Sequence, residues 1–330
     1  MNPPPPTIAP LHVPLERRLQ TLATLIYGIE PSFVIGLFIY LWAFPCLWPL
    51  LIAYLIWMIK DHAPVKGGRR IEWVRKLAVW KYFAAYFPIR IIKESDLDAT
   101  KKYLFGYHPH GILAYGAVLT FATEGTDFGR QFPGIETSLM TLQSNFMLPF
   151  HRDYILALGI CSVSRKSCHY MLRNHRSIAI VVGGATESLH AYPGTLDLTL
   201  KHRMGFVKLA VDTGAALVPV LAFGENEIFD QVKSEHGSWL WVLQKRMQAI
   251  LGFTVPLFHG RGIFNYDIGL MPHRRPMSIV FGTPIDAPSA KDDDQAVKRL
   301  HDQYMSGLQA LWDKYKDELA PNRVKELSFI

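Results

Sequence analysis

The sequence lacks the motifs that several large enzyme classes require. It has three cysteines, Cys46, Cys161 and Cys168, and their spacing fits neither a zinc site nor a disulfide framework. It also has no Asn-X-Ser/Thr acceptor, and both features favour a reducing, cytosol-facing environment. There is no Gly-X-Ser-X-Gly elbow, P-loop or Gly-X-Gly-X-X-Gly fingerprint. The sequence therefore shows no serine nucleophile of that type and no nucleotide-binding loop of those kinds.

Charged residues are also few, at 19% of the chain, and positive ones are in excess. The net charge of +7 and the pI near 9.2 favour an anionic partner, such as a phospholipid surface, a nucleotide-bearing cofactor or nucleic acid. The basic residues form no recognisable nucleic-acid motif, so no nucleic acid partner is expected.

Hydrophobic residues reach 49% and are concentrated near the N-terminus. Residues 1–14 are proline-rich and predict a disordered tail. From Leu22 to Ile59 the only charged residue is Glu30. One membrane-spanning helix needs about 20 residues, and this apolar run is nearly twice as long.

Basic residues flank the apolar run on both sides, which favours a membrane hairpin over residues 15–60 with both ends in the cytosol. A single tilted span from about Phe33 to Ile59 is the alternative, because Glu30 would be costly in the middle of a bilayer. A buried pair of soluble helices is a further alternative. Residues 71–92 predict a helix lying on the bilayer surface, although an ordinary core helix fits their spacing equally well.

Residues 61–330 are predicted to form one cytosol-facing domain in which strands and helices alternate. Strands are predicted at 103–107, 137–142, 177–182, 216–223 and 277–282. Helices are predicted at 112–122, 151–158, 165–174, 203–213 and 237–251, with a last helix whose apolar stripe runs from Val297 to Tyr315. This alternation predicts an α/β fold, with a largely parallel sheet flanked by helices.

Two histidines follow the first of these predicted strands. His108 and His110 are separated by Pro109 and followed by Gly111. In parallel sheets, ligands bind at the carboxyl ends of the strands, and imidazoles there are suited to act as a base facing a pocket. The alternative is a turn whose histidines cap a helix or face solvent.

Other candidate site residues lie further along the chain. Gly183 and Gly184 end a β-branched strand, where their backbone can approach a substrate, and Glu187 follows where it could orient a histidine. As an alternative, Glu187 is an ordinary residue near a helix start. Lys201 and Arg203 open a predicted helix, where cations oppose the helix dipole and so favour an anionic ligand, although a plain solvated charge pair is the alternative. Arg261, between two glycines, and Arg274, ahead of the strand at 277–282, are further candidates for anion binding.

These motifs, in this order, resemble the type 2 diacylglycerol acyltransferase family, which includes monoacylglycerol and wax-alcohol acyltransferases. The resemblance runs from about Leu15 to past Ile285. The matching segments are Tyr86-Phe87-Pro88, His108-Pro109-His110-Gly111, Gly183-Gly184-Ala185-Thr186-Glu187, Arg203-Met204-Gly205-Phe206-Val207, Val218-Pro219-Val220 with Phe223-Gly224-Glu225-Asn226, His259-Gly260-Arg261-Gly262-Ile263-Phe264, and Gly269-Leu270-Met271-Pro272 with Arg274-Arg275-Pro276.

The resemblance implies a glycerolipid-acyltransferase-like domain on the cytosolic face of the endoplasmic reticulum membrane, also found on lipid droplets. It implies transfer of an acyl group from acyl-CoA, a co-substrate, to the hydroxyl of diacylglycerol, with monoacylglycerol or a long-chain alcohol as the alternative acceptor. No permanently bound cofactor and no metal ligand are predicted, and a homo-oligomer is left open. Glycerolipid acyltransferases pair their histidine with an aspartate five residues on, but Leu113 and Tyr115 occupy those positions here.

For this reaction we predict His110 as the general base, His108 as shaping the site or sharing that role, and Glu187 as orienting the imidazole. Backbone N–H groups near Pro109 and Gly111, or at Gly183 and Gly184, would face the oxyanion. The four cations named above are candidate acyl-CoA contacts. Two competing hypotheses remain: a metal-dependent hydrolase using His108 and His110 with Glu187 or His190, and a non-catalytic lipid-droplet protein.

Overall fold

The computed structural model describes residues 7–10, 12–232, 237–238, 242, 244, 246, 256–288 and 293–330. The described strands are β1 Arg90–Lys93, β2 Tyr103–His108, β3 Thr137–Thr141, β4 Cys161–Ser162, β5 Ser177–Val181, β6 Asp197–Leu198, β7 Ala216–Phe223, β8 Asp230–Gln231, β9 Phe258–His259, β10 Ser278–Phe281 and β11 Ser328–Phe329. Seven of them form one sheet in the order β1-β10-β7-β2-β5-β3-β4, with β7, β2 and β5 at its centre.

Every pairing in this sheet is parallel except that between β10 and β7. The predicted largely parallel α/β sheet is therefore confirmed, and all five predicted strands are present. The prediction missed β1 and β4, which have only four and two residues. Runs this short carry little period-two signal.

Helices surround the sheet. The described ones are α1 Leu15–Leu41, α2 Trp48–Lys60, α3 Glu72–Arg75, α4 Ala78–Tyr86, α5 Tyr115–Ala117, α6 Phe128–Gln131, α7 His151–Ala157, α8 Arg165–Arg173, α9 Gly184–Ser188, α10 Gly205–Thr213 and α11 Asp294–Leu319. A π-helical turn, Val118–Ala122, continues α5, so the predicted helix 112–122 begins later than expected. The predicted helix 237–251 lies for the most part outside the described residues.

The two faces of the sheet are covered by different helices because side chains alternate along each strand. In β2, Tyr103, Phe105 and Tyr107 pack in a core with α4 and the π-helical turn, whereas Leu104 packs in a second core with α8, α10 and α11. Gly106 lies on this second face, where an added Cβ would be 1.9 Å from the Tyr304 hydroxyl of α11. Glycine at 106 thus lets α11 approach the strand that carries the histidines.

The N-terminal apolar run folds as two helices. The 27 residues of α1 extend about 40 Å, long enough to cross a membrane, and only 11% of its most apolar window is buried. The 13 residues of α2 extend only about 20 Å. A 3₁₀ turn, Pro45–Leu47, separates them, so the single continuous span from Phe33 to Ile59 is not formed. The outward apolar surface indicates membrane association.

Glu30, the charged residue in this apolar run, is paired with a histidine of the domain. Its Oε2 lies 2.8 Å from Nδ1 of His151 in α7, and only 13% of either side chain is exposed. Upstream, Tyr27 packs edge-on against Trp80 of α4. The first half of α1 is therefore attached to the domain. Within the predicted disordered tail, Ile8 bridges to Asn265.

The bilayer-surface helix predicted over 71–92 is wrong. The segment forms α3, α4 and strand β1 instead, and Trp80, Ala84 and Phe87 of its apolar stripe are buried in the core. At those three positions, the apolar spacing of three and four residues that suggested an interfacial helix reflects packing in the protein core.

Candidate active site

The His-Pro-His-Gly segment lies at the carboxyl edge of the central parallel strands, where β2 ends at His108. His108 is fully buried, and its Nε2 lies 3.0 Å from the hydroxyl of Tyr304. That hydroxyl donates to the Gly106 carbonyl, so His108 carries its proton on Nε2 and donates it to Tyr304. Burial lowers the pKa of His108 to about 3, which keeps the ring neutral.

His110 is part-buried and is held differently. Its Nδ1 lies 3.1 Å from the carbonyl oxygen of Gly111. Because a carbonyl only accepts, Nδ1 carries the proton and Nε2 keeps its lone pair. Burial lowers the pKa of His110, which maintains the neutral form that a general base needs. The two histidines are thus opposite tautomers, and His110 presents the free lone pair on Nε2.

Glu187 does lie beside the histidines, but it contacts backbone rather than an imidazole. One carboxylate oxygen accepts from the His110 backbone N–H at 2.6 Å, and the other accepts from Thr199 N–H at 2.7 Å. The predicted contact with the ring is therefore corrected: Glu187 fixes the loop that carries His110. Burial, which leaves 2% of the residue exposed, raises its pKa to about 7.

The four residues predicted to form the oxyanion and substrate loop are placed around these groups. Pro109 follows His108 directly, and Gly111 has a φ of +60° that favours glycine. Gly183 has a φ of +100°, and a Cβ there would lie 2.2 Å from Glu187 Oε2. Gly184, at φ +63°, begins α9. Gly183 thus lies against the carboxylate that holds the His110 loop, and Gly111 lies within that loop.

Sequence reasoning missed a second buried carboxylate, Glu225, which follows β7. It accepts from the Tyr107 hydroxyl at 2.5 Å and from Gly116 N–H at 3.1 Å. A Cβ on Gly111 would lie 2.9 Å from its Cγ, so Glu225 also packs against the His-Pro-His-Gly loop. Burial raises its pKa to about 7. The available signal was its place in Phe223-Gly224-Glu225-Asn226 at the end of a strand.

The four predicted acyl-CoA contacts fall into two groups. Arg203 donates to the Gly183 carbonyl at 3.2 Å, which places a cation beside Glu187, and Lys201 is exposed two residues earlier. Arg274 instead bonds to Gln20 of α1 and lies 4.2 Å over the Tyr86 ring, and Arg261 lies 3.8 Å over the ring of Tyr266. Of the four, only Arg203 bonds directly to a predicted site residue.

A cavity of about 730 Å³ adjoins the loop through Pro109. Its wall includes Gly224 and Asn226 after β7, and three arginines, Arg90, Arg275 and Arg323, also face it. Arg90 is paired with Glu318 at 3.1 Å. The loop that carries the histidines therefore borders, through Pro109, a cavity with basic side chains in its wall that is large enough for a small-molecule ligand.

Comparison with known proteins places this geometry in a family. Residues 39–329 match the family model described as diacylglycerol acyltransferase. The chain belongs to the diacylglycerol acyltransferase family. It is 53% identical to diacylglycerol O-acyltransferase 2A of Umbelopsis ramanniana, over 99% of this chain and 94% of that protein.

Two further relatives of this family member differ in the acceptor that their names specify. The chain is 43% identical to human diacylglycerol O-acyltransferase 2, over 92% of this chain and 80% of that one. It is 44% identical to bovine 2-acylglycerol O-acyltransferase 1, over 93% and 94%. Among solved structures it is similar to the 1-acyl-sn-glycerophosphate acyltransferase PlsC of Thermotoga maritima, at a TM-score of 0.42 and 11% identity, over 90% and 97%.

The geometry does not favour a metal bound by His108, His110 and Glu187. His108 Nε2 is bonded to Tyr304, and both oxygens of Glu187 accept from backbone N–H groups. In the described part of this family member, the one group of three or more metal-type ligands lies elsewhere, at Asp230, His259 and His273.

Replacing Glu225 with glutamine is expected to flatten the pH dependence of stability. Burial raises the carboxyl pKa from 4.5 to about 7, so its contribution is fully present below pH 4.5 and is lost as the pH rises through 7. The parent should lose about 3 kcal/mol of unfolding free energy between pH 5 and 8 through this group, and E225Q should not. Thermal unfolding of both proteins in detergent across that range measures the difference.

Replacing Tyr107 with phenylalanine is expected to shift the pH range of this stability loss upward. Tyr107 donates to Glu225, and this bond lowers the carboxyl pKa. In Y107F the pKa should rise further, so the loss of stability should occur at higher pH. Identical pH profiles for the parent and E225Q would show that Glu225 does not titrate as the geometry requires.

Proposed function

We propose that this chain transfers a fatty acyl group from acyl-CoA to the free hydroxyl of diacylglycerol, giving triacylglycerol and free CoA. The observation that carries the proposal is the match, over nearly the whole chain, to relatives named diacylglycerol O-acyltransferases at 43–53% identity. The site supports it, because His110 offers a neutral imidazole with a free Nε2 lone pair at the sheet edge.

In this mechanism Nε2 of His110 takes the proton of the acceptor hydroxyl as its oxygen attacks the thioester carbonyl. Backbone N–H groups at Gly111, or at Gly183 and Gly184, stabilise the oxyanion. The carbon–sulfur bond then breaks, and the imidazolium returns the proton to the CoA thiolate. Acyl-CoA is an activated thioester, so the reaction requires no covalent acyl-enzyme.

The remaining residues position the base and the substrates. Glu187 holds the His110 backbone, and His108 ties the strand end to α11 through Tyr304. Arg203 and Lys201 supply positive charge beside Gly183 for the phosphates of CoA, with Arg261 and Arg274 as further contacts. Acyl-CoA serves as a co-substrate, with no permanently bound cofactor in the reaction. The acceptor enters from the bilayer along the apolar surface of α1 and α2.

This arrangement also supports a location. We place the chain in the endoplasmic reticulum membrane and on lipid droplets, with residues 61–330 facing the cytosol, α1 spanning or entering the bilayer and α2 re-entrant. Arg17 and Arg18 in the first turn of α1 and Lys60 at the end of α2 favour a hairpin with both ends on the cytosolic side.

Monoacylglycerol is the second candidate acceptor, because relatives at 44% and 42% identity are named 2-acylglycerol O-acyltransferases. The test uses purified full-length protein in lipid vesicles with labelled acyl-CoA and equal amounts of diacylglycerol, monoacylglycerol and a long-chain alcohol. We expect labelled triacylglycerol as the main product. Labelled diacylglycerol or wax ester instead would reassign the acceptor.

The same assay separates the competing classes of function. With acyl-CoA left out, a lipid hydrolase would release fatty acid from the supplied acylglycerols, and a non-catalytic lipid-droplet protein would form no product in either case. Either result contradicts the proposal. Chemical cross-linking of the same vesicles reports whether the chain forms a homo-oligomer.

A further inference from the structure

Two histidines of the sequence motifs, His259 and His273, play no part in the acyl transfer proposed above. His259 begins His-Gly-Arg-Gly-Ile-Phe, and His273 lies in Met-Pro-His-Arg-Arg-Pro. The structure brings both histidines next to Asp230, and the side-chain ligand atoms of the three residues all lie within 4.8 Å of one another. Nε2 of His273 and Oδ2 of Asp230 are 2.9 Å apart.

The backbone holds these three residues on a hydrogen-bonded frame. Asp230 and His259 are direct cross-strand partners in the antiparallel pair of β8 and β9. His273 N–H donates at 2.7 Å to the carbonyl of Ile228, two residues before Asp230. The hairpin between the two histidines is closed by Gly260 N–H to the Gly269 carbonyl, at 2.8 Å. Strand pairing and the backbone bond of His273 therefore bring the three side chains together.

Two imidazoles and one carboxylate are a ligand set that zinc uses when its fourth position is left to water. Ligand atoms about 2.0–2.2 Å from a tetrahedral ion lie about 3.4 Å apart, so a small side-chain rotation completes the geometry. Half of the Asp230 side chain is exposed and His259 is exposed, which leaves a path for an ion. A simple ion pair of His273 with Asp230 would not require the second imidazole.

We propose that Asp230, His259 and His273 bind one divalent transition-metal ion, zinc by ligand class, at a site separate from the catalytic loop. The ion fastens the hairpin that follows β9 to β8 and so stabilises this part of the domain. The hard cations Mg²⁺ and Ca²⁺ prefer all-oxygen sites and are not expected to replace it.

The test measures metal content and stability, not activity. Full-length protein without a polyhistidine tag is purified in detergent, stripped with a chelator and titrated with Zn²⁺. The parent should retain about one zinc per chain after desalting, and its thermal midpoint should rise with zinc. In H259A, which loses an exposed side chain, zinc affinity should fall at least about tenfold, because one of three ligands is gone.

Two comparisons make the result decisive. His169 lies 3.6 Å from Asp212 in another surface pair, so H169A is a matched loss of a histidine near an aspartate and should bind zinc like the parent. In chelator, the H259A midpoint should equal that of the stripped parent, which would show that the variant is folded. Equal zinc binding by the parent and H259A, no retained zinc in the parent, or displacement of zinc by Ca²⁺ would overturn the proposal.

Discussion

Replacing His110 with alanine is expected to lower turnover about 10²–10⁴-fold, the usual contribution of a general base. The loss should appear in kcat, because His110 acts on the acceptor proton as the hydroxyl attacks. Stability should change little, since the part-buried ring makes one hydrogen bond, to the Gly111 carbonyl. Turnover of labelled acyl-CoA at saturating diacylglycerol, together with thermal unfolding of the same preparation, measures both quantities.

Tyr304→Phe provides the contrasting control. The Tyr304 hydroxyl links His108 Nε2 to the Gly106 carbonyl in a fully buried site. Its removal leaves the buried His108 Nε2 without its partner, so we expect Y304F to lose about 1–3 kcal/mol of stability and far less turnover than H110A. If H110A kept near-parental turnover while Y304F lost it at equal protein levels, the base would have to be assigned to His108.

The sheet could be predicted from the sequence because its central strands are long and buried. The eight residues of β7 and the six of β2 are buried throughout, and such apolar runs between turn residues are a strong strand signal. Among the described strands, β1 pairs with β10, which lies 188 positions further along the chain and is itself antiparallel to β7. No local pattern carries that pairing, so the sequence predicts a helix over 71–92 that includes the first three residues of β1.

The site was predictable in its residue types but not in its contacts. His108, His110 and Glu187 were identified from their position after buried strands, and the structure brings them together. A carboxylate side chain can reach either a ring or a backbone N–H, and the sequence does not distinguish these. Glu225 was missed as a site residue because its proximity to Gly111 depends on the pairing of β7 with β2.

Replacing Glu187 is expected to be the most destabilising single change in the site. Glu187→Ala leaves two part-buried backbone donors, His110 N–H and Thr199 N–H, without their acceptor, at up to about 1–3 kcal/mol each. Because His110 is then no longer held, turnover of the folded fraction should fall by up to about 10²-fold. Unfolding and turnover should be measured at pH 8, above the Glu187 pKa of about 7.

Glutamine at 187 separates this role from a simple need for a polar side chain. Its amide has one acceptor oxygen, so one backbone N–H stays satisfied while the other faces an NH₂ donor. E187Q should therefore lose about 1–3 kcal/mol, between the parent and E187A. As a surface control, Glu318→Ala removes the exposed ion pair with Arg90 and should cost less than about 1 kcal/mol. An E187Q protein as stable and active as the parent would mean that a single acceptor suffices, because glutamine cannot satisfy both donors.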